Sequence, residues 1–320
     1  MRACHAVEDA LRSLLKDGDL ALPQPRGGST ARRWGALARW GRSDLAVARL
    51  AEGHTDALAI LAEAGLTPQP DALYGVWAAR PGGVGPTLVA GPDGPARVAG
   101  LARFCSGARM LDRALLVARP EQSESEPLLV EVELDRTRVS ADPDSWRADG
   151  MAGSDTLDVR FADAAVDRLV GDAGWYTRRP GFAAGGGGVA AVWWGGAAGL
   201  LDRASAHVAA AGPDPHQLAH LGELHAMLAA SHALLRATAD ELDALPGADH
   251  GLAVATVRSA VELCCRAVVD RVPRVLGPTP WSGDAQLAEM LADLQMYVRQ
   301  HHGERDNAAL AAALLRERDR

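Results

Sequence analysis

The stretch GFAAGGGGVAAVWWGGAAG, residues 181–199, decides how the chain is read. Four glycines run from Gly185 to Gly188, and Gly186, Gly188 and Ala191 match the G-x-G-x-x-G/A pattern of a dinucleotide-binding turn. That turn needs a strand before it, a helix after it and a second strand to close the βαβ unit. The preceding WYTRRPGF (175–182) does not read as a buried parallel strand, and downstream of the run the pattern is helix upon helix. A nicotinamide-binding cradle is therefore set aside. The physical alternative is a helix with bare faces. Each interior glycine costs a helix about 1 kcal/mol relative to alanine. Gly188, Gly195, Gly196 and Gly199 thus imply that bulk is forbidden there, so that another helix or a flat ring can come close. Trp193 and Trp194 sit among them, and at least one must be buried.

Working outward, apolar spacing predicts helices over 187–210, 216–244, 248–272 and 282–302, with a short tail helix over 305–317. The connectors are GPDP (212–215), LPGAD (245–249) and LGPTPWSGD (276–284), and Asp284 or Ser282 can cap the fourth helix. Long helices on short loops predict an antiparallel bundle. Upstream, residues 73–170 hold short alternating runs such as LYGVWAARP (73–81), PLLVEVELDRTRV (127–139) and TLDVRFAD (156–163). Turn chemistry separates them, and GPDGPARVAG (91–100) reads as a hairpin approach. The pattern predicts an antiparallel barrel or sandwich. The acidic SESE cluster (123–126) reads as a solvated hairpin loop. Before it come a helix over 6–16, a Pro- and Gly-rich loop, and two helices from Ser29. Those two break near Gly41, with Ser43 or Asp44 as the second cap and Gly65 as the stop. The expected class is α+β: an N-terminal helical domain (1–72), a middle antiparallel β domain (73–170) and a C-terminal helical bundle (171–320).

The 320 residues are 48% hydrophobic and 23% charged, enough for a sizeable core. Net charge is −8, and Lys16 is the single lysine among 33 basic residues. The arginines are scattered, without the basic patch that nucleic acid requires. Arginine in place of lysine, with abundant Ala, Gly and Pro, reflects a GC-rich coding sequence. Cys4, Cys105, Cys264 and Cys265 form no C-x-x-C pair, so neither a disulfide framework nor a zinc ribbon is expected. The amphipathic N-terminus lacks the apolar run of a signal peptide, and no segment has the apolar length of a membrane span. The expectation is a soluble, cytoplasmic protein.

Four stretches, in order, are similar to motifs of the acyl-CoA dehydrogenase superfamily. DLAVARLAEGHTDALAIL (44–61) resembles the D-x-S-x-A…H helix beneath that family's active site. VWAARPGG (76–83) stands where the family strand ends in T-E-P-G-A-G-S. GLARFCSGARMLDRALLVA (100–118) resembles G-x-K-x-(W/F)-I-(T/S)-x-A…A-D-x-x-L-V. WRADGMAGSDTLDVRFADAAV (146–166) resembles G-(M/L)-R-G-S-x-T-x-x-V-x-F-x-D-V. The resemblance covers nearly the whole chain. It implies a three-part α+β fold, FAD as cofactor, an FAD-dependent oxidoreductase acting on a small molecule or acyl thioester, and a homodimer or homotetramer. Phe104 then falls by the flavin ring, the Ser106 hydroxyl within reach of flavin N5, and Ala78 and Ala79 at its pyrimidine edge.

The departures bear on the reaction. Arg80 stands at the acid of E-P-G-A-G-S. Dehydrogenation needs a carboxylate to take the substrate's α-proton while hydride leaves for the flavin. Arg305 and Asp306 match the family's R-D, yet no E-G-T comes after them, and residues 181–199 hold no Glu. AHVAAAGPDP stands where the family carries its flavin-diphosphate R-x-x-F-G. The resemblance therefore leaves oxygenation open beside α,β-dehydrogenation, and leaves a non-catalytic scaffold or partner subunit as the alternative. His54 is the candidate catalytic donor, since some flavin monooxygenases of the superfamily carry a His on this helix. His216 and His220 share the i, i+4 spacing of zinc ligands but lack a third ligand, and RQHHGERD (299–306) reads as a polar helix end. No metal is expected.

Overall fold

The computed structural model describes residues 4–89, 96–121 and 126–318. In chain order the elements begin with α1 (Cys4–Lys16), α2 (Thr30–Ser43) and α3 (Leu45–Glu63). Eight strands come next: β1 (Tyr74–Trp77), β2 (Thr87–Val89), β3 (Arg97–Cys105), β4 (Arg113–Pro120), β5 (Leu128–Glu133), β6 (Val139–Asp142), β7 (Leu157–Ala165) and β8 (Arg168–Val170). The rest is helical: α4 (Trp175–Arg178), α5 (Phe182–Ala211), α6 (Pro215–Ala244), α7 (Gly251–Leu276), α8 (Thr279–Gly283), α9 (Ala285–Tyr297) and α10 (Glu304–Arg318). The chain forms two compact units. Unit 1 takes Met1–Leu22, Arg49–Ala148 and Ala152–Phe182; unit 2 takes Pro23–Ala48, Asp149–Met151 and Ala183–Arg320.

Unit 1 is built on one eight-stranded sheet in the order β6-β7-β3-β2-β4-β5-β8, with β1 also paired to β4. Five pairings are antiparallel, as the turn chemistry predicts. The sheet as a whole is mixed, however, because β1 and β2 both run parallel to β4. Side-chain alternation has period two in either polarity, so the sequence pattern could not separate them. Leu115, Val117, Leu129 and Val170 of the sheet bury against Ala57, Ile60 and Leu61 of α3, with Tyr74 among them. Gly65 ends α3 at φ +71°, the left-handed turn that its sequence position predicts. The Leu66 N–H reaches the Leu61 carbonyl and the Gly65 N–H that of Ala62, a Schellman closure. Residues 91–95 of the expected hairpin and 123–125 of the acidic cluster lie outside the described residues.

Unit 2 is helical. Asp214 caps α6 in a reciprocal box with Gln217, and Asp284 rather than Ser282 caps α9. Asp44 accepts the Ala46 and Val47 N–H groups at 2.9 and 3.0 Å, so α2 breaks at Asp44 and not at Gly41. The expected helix over 282–302 is two: α8 ends at Gly283, and α9 ends at Tyr297. The glycine run lies wholly inside α5, which starts five residues earlier than the periodicity predicts. Its bare faces are filled by α2. A Cβ on Gly187 would stand 2.2 Å from the Trp34 ring, and one on Gly188 would stand 3.0 Å from Leu37. On Gly195 it would meet the Ala38 carbonyl at 2.1 Å, and on Gly199 the Arg42 carbonyl at 2.3 Å. The contact is reciprocal, since a Cβ on Gly41 would meet the Val192 carbonyl at 2.3 Å. The expectation of close approach holds and its object is a helix. Trp34 is the ring that these glycines admit. Trp193 is fully buried, edge-on to Tyr297, while the half-buried Trp194 stacks on His232 at 4.6 Å. No helix among the described residues is long and apolar enough to cross a membrane.

Candidate functional site

The site lies within unit 1, where the ends of β1 and β3 meet beneath α3. Glycine at 75 permits the approach, because a Cβ there would stand 2.7 Å from Leu111 and 2.9 Å from the Trp77 indole nitrogen. The Trp77 indole N–H donates to the Ser106 carbonyl at 3.0 Å. Arg49, Gly53, Tyr74, Trp77 and Ser106 line a small cleft of about 10 Å³. That is room for about one water.

Three hydroxyls converge behind Ser106. The Thr156 hydroxyl donates to Ser106 Oγ at 2.9 Å, and Ser154 lies 2.8 Å from Thr156. With Thr156's proton committed to Ser106, Ser154 is the donor to Thr156, and Ser106's own proton has no acceptor among the described residues. All three residues are buried. Asp155 holds the turn between Ser154 and Thr156. It accepts the Arg109 backbone N–H at 2.8 Å and the Arg109 side chain at 2.9 Å.

Phe104 sits two residues before Ser106 in the opposite situation. It is 46% exposed, the most open aromatic side chain on this edge, and its φ is +59°. The β3–β7 register shifts between Ala102 and Cys105, a bulge that turns Phe104 outward. A bulky residue with left-handed backbone costs of order 1 kcal/mol or more. The Arg103 guanidinium covers the ring at 4.9 Å and is tied to Asp158 at 3.1 Å. Between the two, the Cys105 thiol is fully buried, and burial pushes its pKa up. Ala78 and Ala79 come directly after β1, half-buried and exposed. Phe104, Ser106, Trp77 and these alanines thus belong to two adjoining strand ends.

His54 is not on that open edge. It is 1% exposed, and its Nδ1 accepts the Tyr74 N–H at 3.1 Å. The proton must then be on Nε2, which is buried and finds no partner among the described residues. Burial lowers its pKa to about 4, so the ring is neutral near pH 7. Below it, the Tyr74 hydroxyl donates to Glu131 at 2.9 Å, and Arg113 and Arg168 clamp the same fully buried carboxylate at 2.7 and 2.6 Å. Burial raises Tyr74 to about 12. His54 therefore braces β1 as a neutral group.

Sequence reasoning leaves Trp77, Ser154 and Thr156 without roles. The S-x-T spacing of GSDT is visible in the sequence, yet its task of buttressing Ser106 appears only when β7 lies beside β3.

No family model matches the sequence, and no curated protein matches it. The fold does have solved counterparts. The dibenzothiophene monooxygenase TdsC from Paenibacillus sp. A11-2 superposes with a TM-score of 0.77 at 19% identity, over 98% of this chain and 96% of that one. A second TdsC structure holds FMN and indole. The methanesulfinate monooxygenase MsuC from Pseudomonas fluorescens gives 0.80 at 18% identity, over 95% and 89%. Butyryl-CoA dehydrogenase from Megasphaera elsdenii gives 0.76 at 16% identity, over 88% and 80%. The chain has the acyl-CoA dehydrogenase fold.

Proposed function

We propose that this protein is a flavin-dependent oxidoreductase and that the Phe104–Ser106 edge of unit 1 receives the flavin ring. One observation carries the reading. A one-way hydroxyl chain leaves Ser106 with a proton to give, beside an aromatic held exposed against its backbone preference. Strain of this kind persists where the surroundings over-determine it, and it concentrates at ligand sites. A hydroxyl with a proton to give, next to a half-exposed aromatic ring, suits a flat heteroaromatic ring with a nitrogen acceptor, such as flavin N5. A bound flavin supplies two-electron redox chemistry and, once reduced, reaction with dioxygen. The chain's own part is to stack on the ring through Phe104, to hold a hydrogen bond through Ser106, and to meet the ring's edge with the backbone at Ala78 and Ala79.

Dehydrogenation fits less well than oxygenation. Residues 181–199, one of the places where the family carries its catalytic Glu, hold no carboxylate. His54, neutral and enclosed, does not replace one; at most its Nε2–H offers a neutral hydrogen bond. Two of the similar structures are monooxygenases by name. The resemblance implies FAD, whereas TdsC has been solved with FMN; AHVAAAGPDP in place of the diphosphate-binding motif favours FMN. The three-part division at 72 and 170 and a homo-oligomer belong to the same reading. The test is to incubate the full chain with FMN or FAD and remove free flavin by gel filtration. The proposal expects flavin to co-elute, and its reduced form to consume dioxygen faster when a substrate is added. A chain that elutes colourless with both flavins refutes the flavin reading. Flavin held without turnover on any aromatic or thioester substrate would point to the scaffold alternative.

A further inference from the structure

Two neighbouring arginines of unit 1 meet no carboxylate among the described residues. Arg97, Arg103, Arg109, Arg113, Arg168 and Arg179 each meet a carboxylate. Arg80 does not: one guanidinium nitrogen donates to the Gly83 carbonyl at 2.8 Å, and Nη1 is buried without a partner among the described residues. Arg119, exposed on β4, likewise has no carboxylate among the described residues. The backbone brings the two together. The Arg119 N–H donates to the Pro86 carbonyl at 3.1 Å, and Arg119 pairs with Thr87 in the parallel β2–β4 ladder. The Arg80 side chain folds back over the neighbouring Gly85, where a Cβ would meet its Cγ at 3.2 Å and its Nη1 at 3.4 Å. Residues 81–84 beside them are exposed, so the pair is open to solvent.

Two neighbouring like charges with no carboxylate partner among the described residues repel each other, and a buried guanidinium nitrogen without an acceptor is costly. Burial and the neighbouring Arg119 both depress the Arg80 pKa. An anion with several acceptor oxygens removes both costs, and the planar guanidinium fork matches phosphate geometry. We infer that Arg80 and Arg119 form a binding site for a phosphate monoester. The residue that departs from the T-E-P pattern thereby acquires a purpose. The site stands on its own geometry; assigning its phosphate to the cofactor rests on the flavin reading.

The experiment titrates the full chain with FMN, riboflavin and inorganic phosphate, in wild type, Arg80→Gln, Arg119→Gln and the charge-keeping Arg80→Lys. Flavin fluorescence reads the first two and calorimetry the third. Each Gln variant should weaken phosphate binding roughly tenfold, the scale of one charge-assisted hydrogen bond, with Arg80→Lys in between. If the phosphate is the cofactor's, FMN weakens by the same factor and riboflavin is unchanged. If it is the substrate's, FMN and riboflavin bind alike in every protein while inorganic phosphate still weakens. A wild type that neither binds phosphate nor prefers FMN to riboflavin overturns the inference, as do Gln variants that bind all three as wild type does. A chain that binds no flavin yet loses phosphate in the Gln variants keeps this site and sinks only the flavin reading.

Discussion

α5 and the end of β3 use backbone freedom in opposite ways. In α5, glycine sits where its conformational freedom is unused. Gly187, Gly195 and Gly199 are ordinary helix residues chosen because a Cβ would strike Trp34, Ala38 or Arg42. At Phe104, a bulky residue occupies a left-handed conformation that glycine would adopt freely. The first region spends helix propensity on close packing. The second keeps strain in order to present a side chain. Glycine content alone therefore marks structure here, and a missing glycine marks the proposed flavin edge.

That contrast can be broken, most forcefully in α5. Gly195→Ala should cost about 3 kcal/mol, because backbone on both sides cannot yield as a side chain could. A chemical-denaturation midpoint close to wild type would show that α2 and α5 are not in contact as described. Next in size is the removal of the Ser106 hydroxyl. Ser106→Ala should lower turnover with the reconstituted flavin roughly 100-fold, the scale seen for one preorganised donor, with little change in melting temperature. Equal losses of stability and activity would make Ser106 a packing residue.

The brace beneath the site sharpens the comparison through pH. His54 is neutral in the fold with its pKa near 4, against 6.5 when unfolded. Between those values the unfolded chain binds a proton that the folded chain refuses, so stability is full above pH 6.5 and is lost as pH falls toward 4. The loss should be about 3 kcal/mol and should be absent in His54→Gln. A stability profile with the same slope in both proteins would show that His54 carries no such linkage. Smaller again is Phe104→Gly, which relieves the left-handed strain and should stabilise the chain by about 1 kcal/mol while weakening flavin binding. The smallest effect is Gly186→Ala. Its Cβ would find ordinary contact at 3.6 Å, so helix propensity should make it neutral to mildly stabilising, by about 0.5 kcal/mol. Destabilisation there would mean that the whole run, and not selected faces, is packed shut.

The sequence made the fold legible wherever one residue controls a local choice. Gly65, Asp284 and the alternation of PLLVEVEL act through neighbours a few positions away. The parallel placement of β1 and β2 on β4 depends on partners far along the chain, so no local pattern reports it. The bare faces of α5 were legible as a prohibition on bulk. That Trp34 and the backbone of α2 enforce it was not, because α2 lies some 150 residues earlier. Phe104 and Ser106 of the proposed site enter through the resemblance. Ser154 and Thr156 were visible only as motif letters, since their role exists once β7 is aligned with β3. His54 was a candidate because some flavin monooxygenases of the superfamily carry a His on this helix; that it is buried and accepts the Tyr74 N–H shows only once α3 packs on β1.

The most direct measurement compares FMN with 5-deaza-FMN, which lacks the N5 acceptor, in wild type and Ser106→Ala. If Ser106 donates to flavin N5, the substitution should weaken FMN roughly tenfold and leave 5-deaza-FMN unchanged. Equal weakening of both, or of neither, contradicts the placement of the flavin on the Phe104–Ser106 edge.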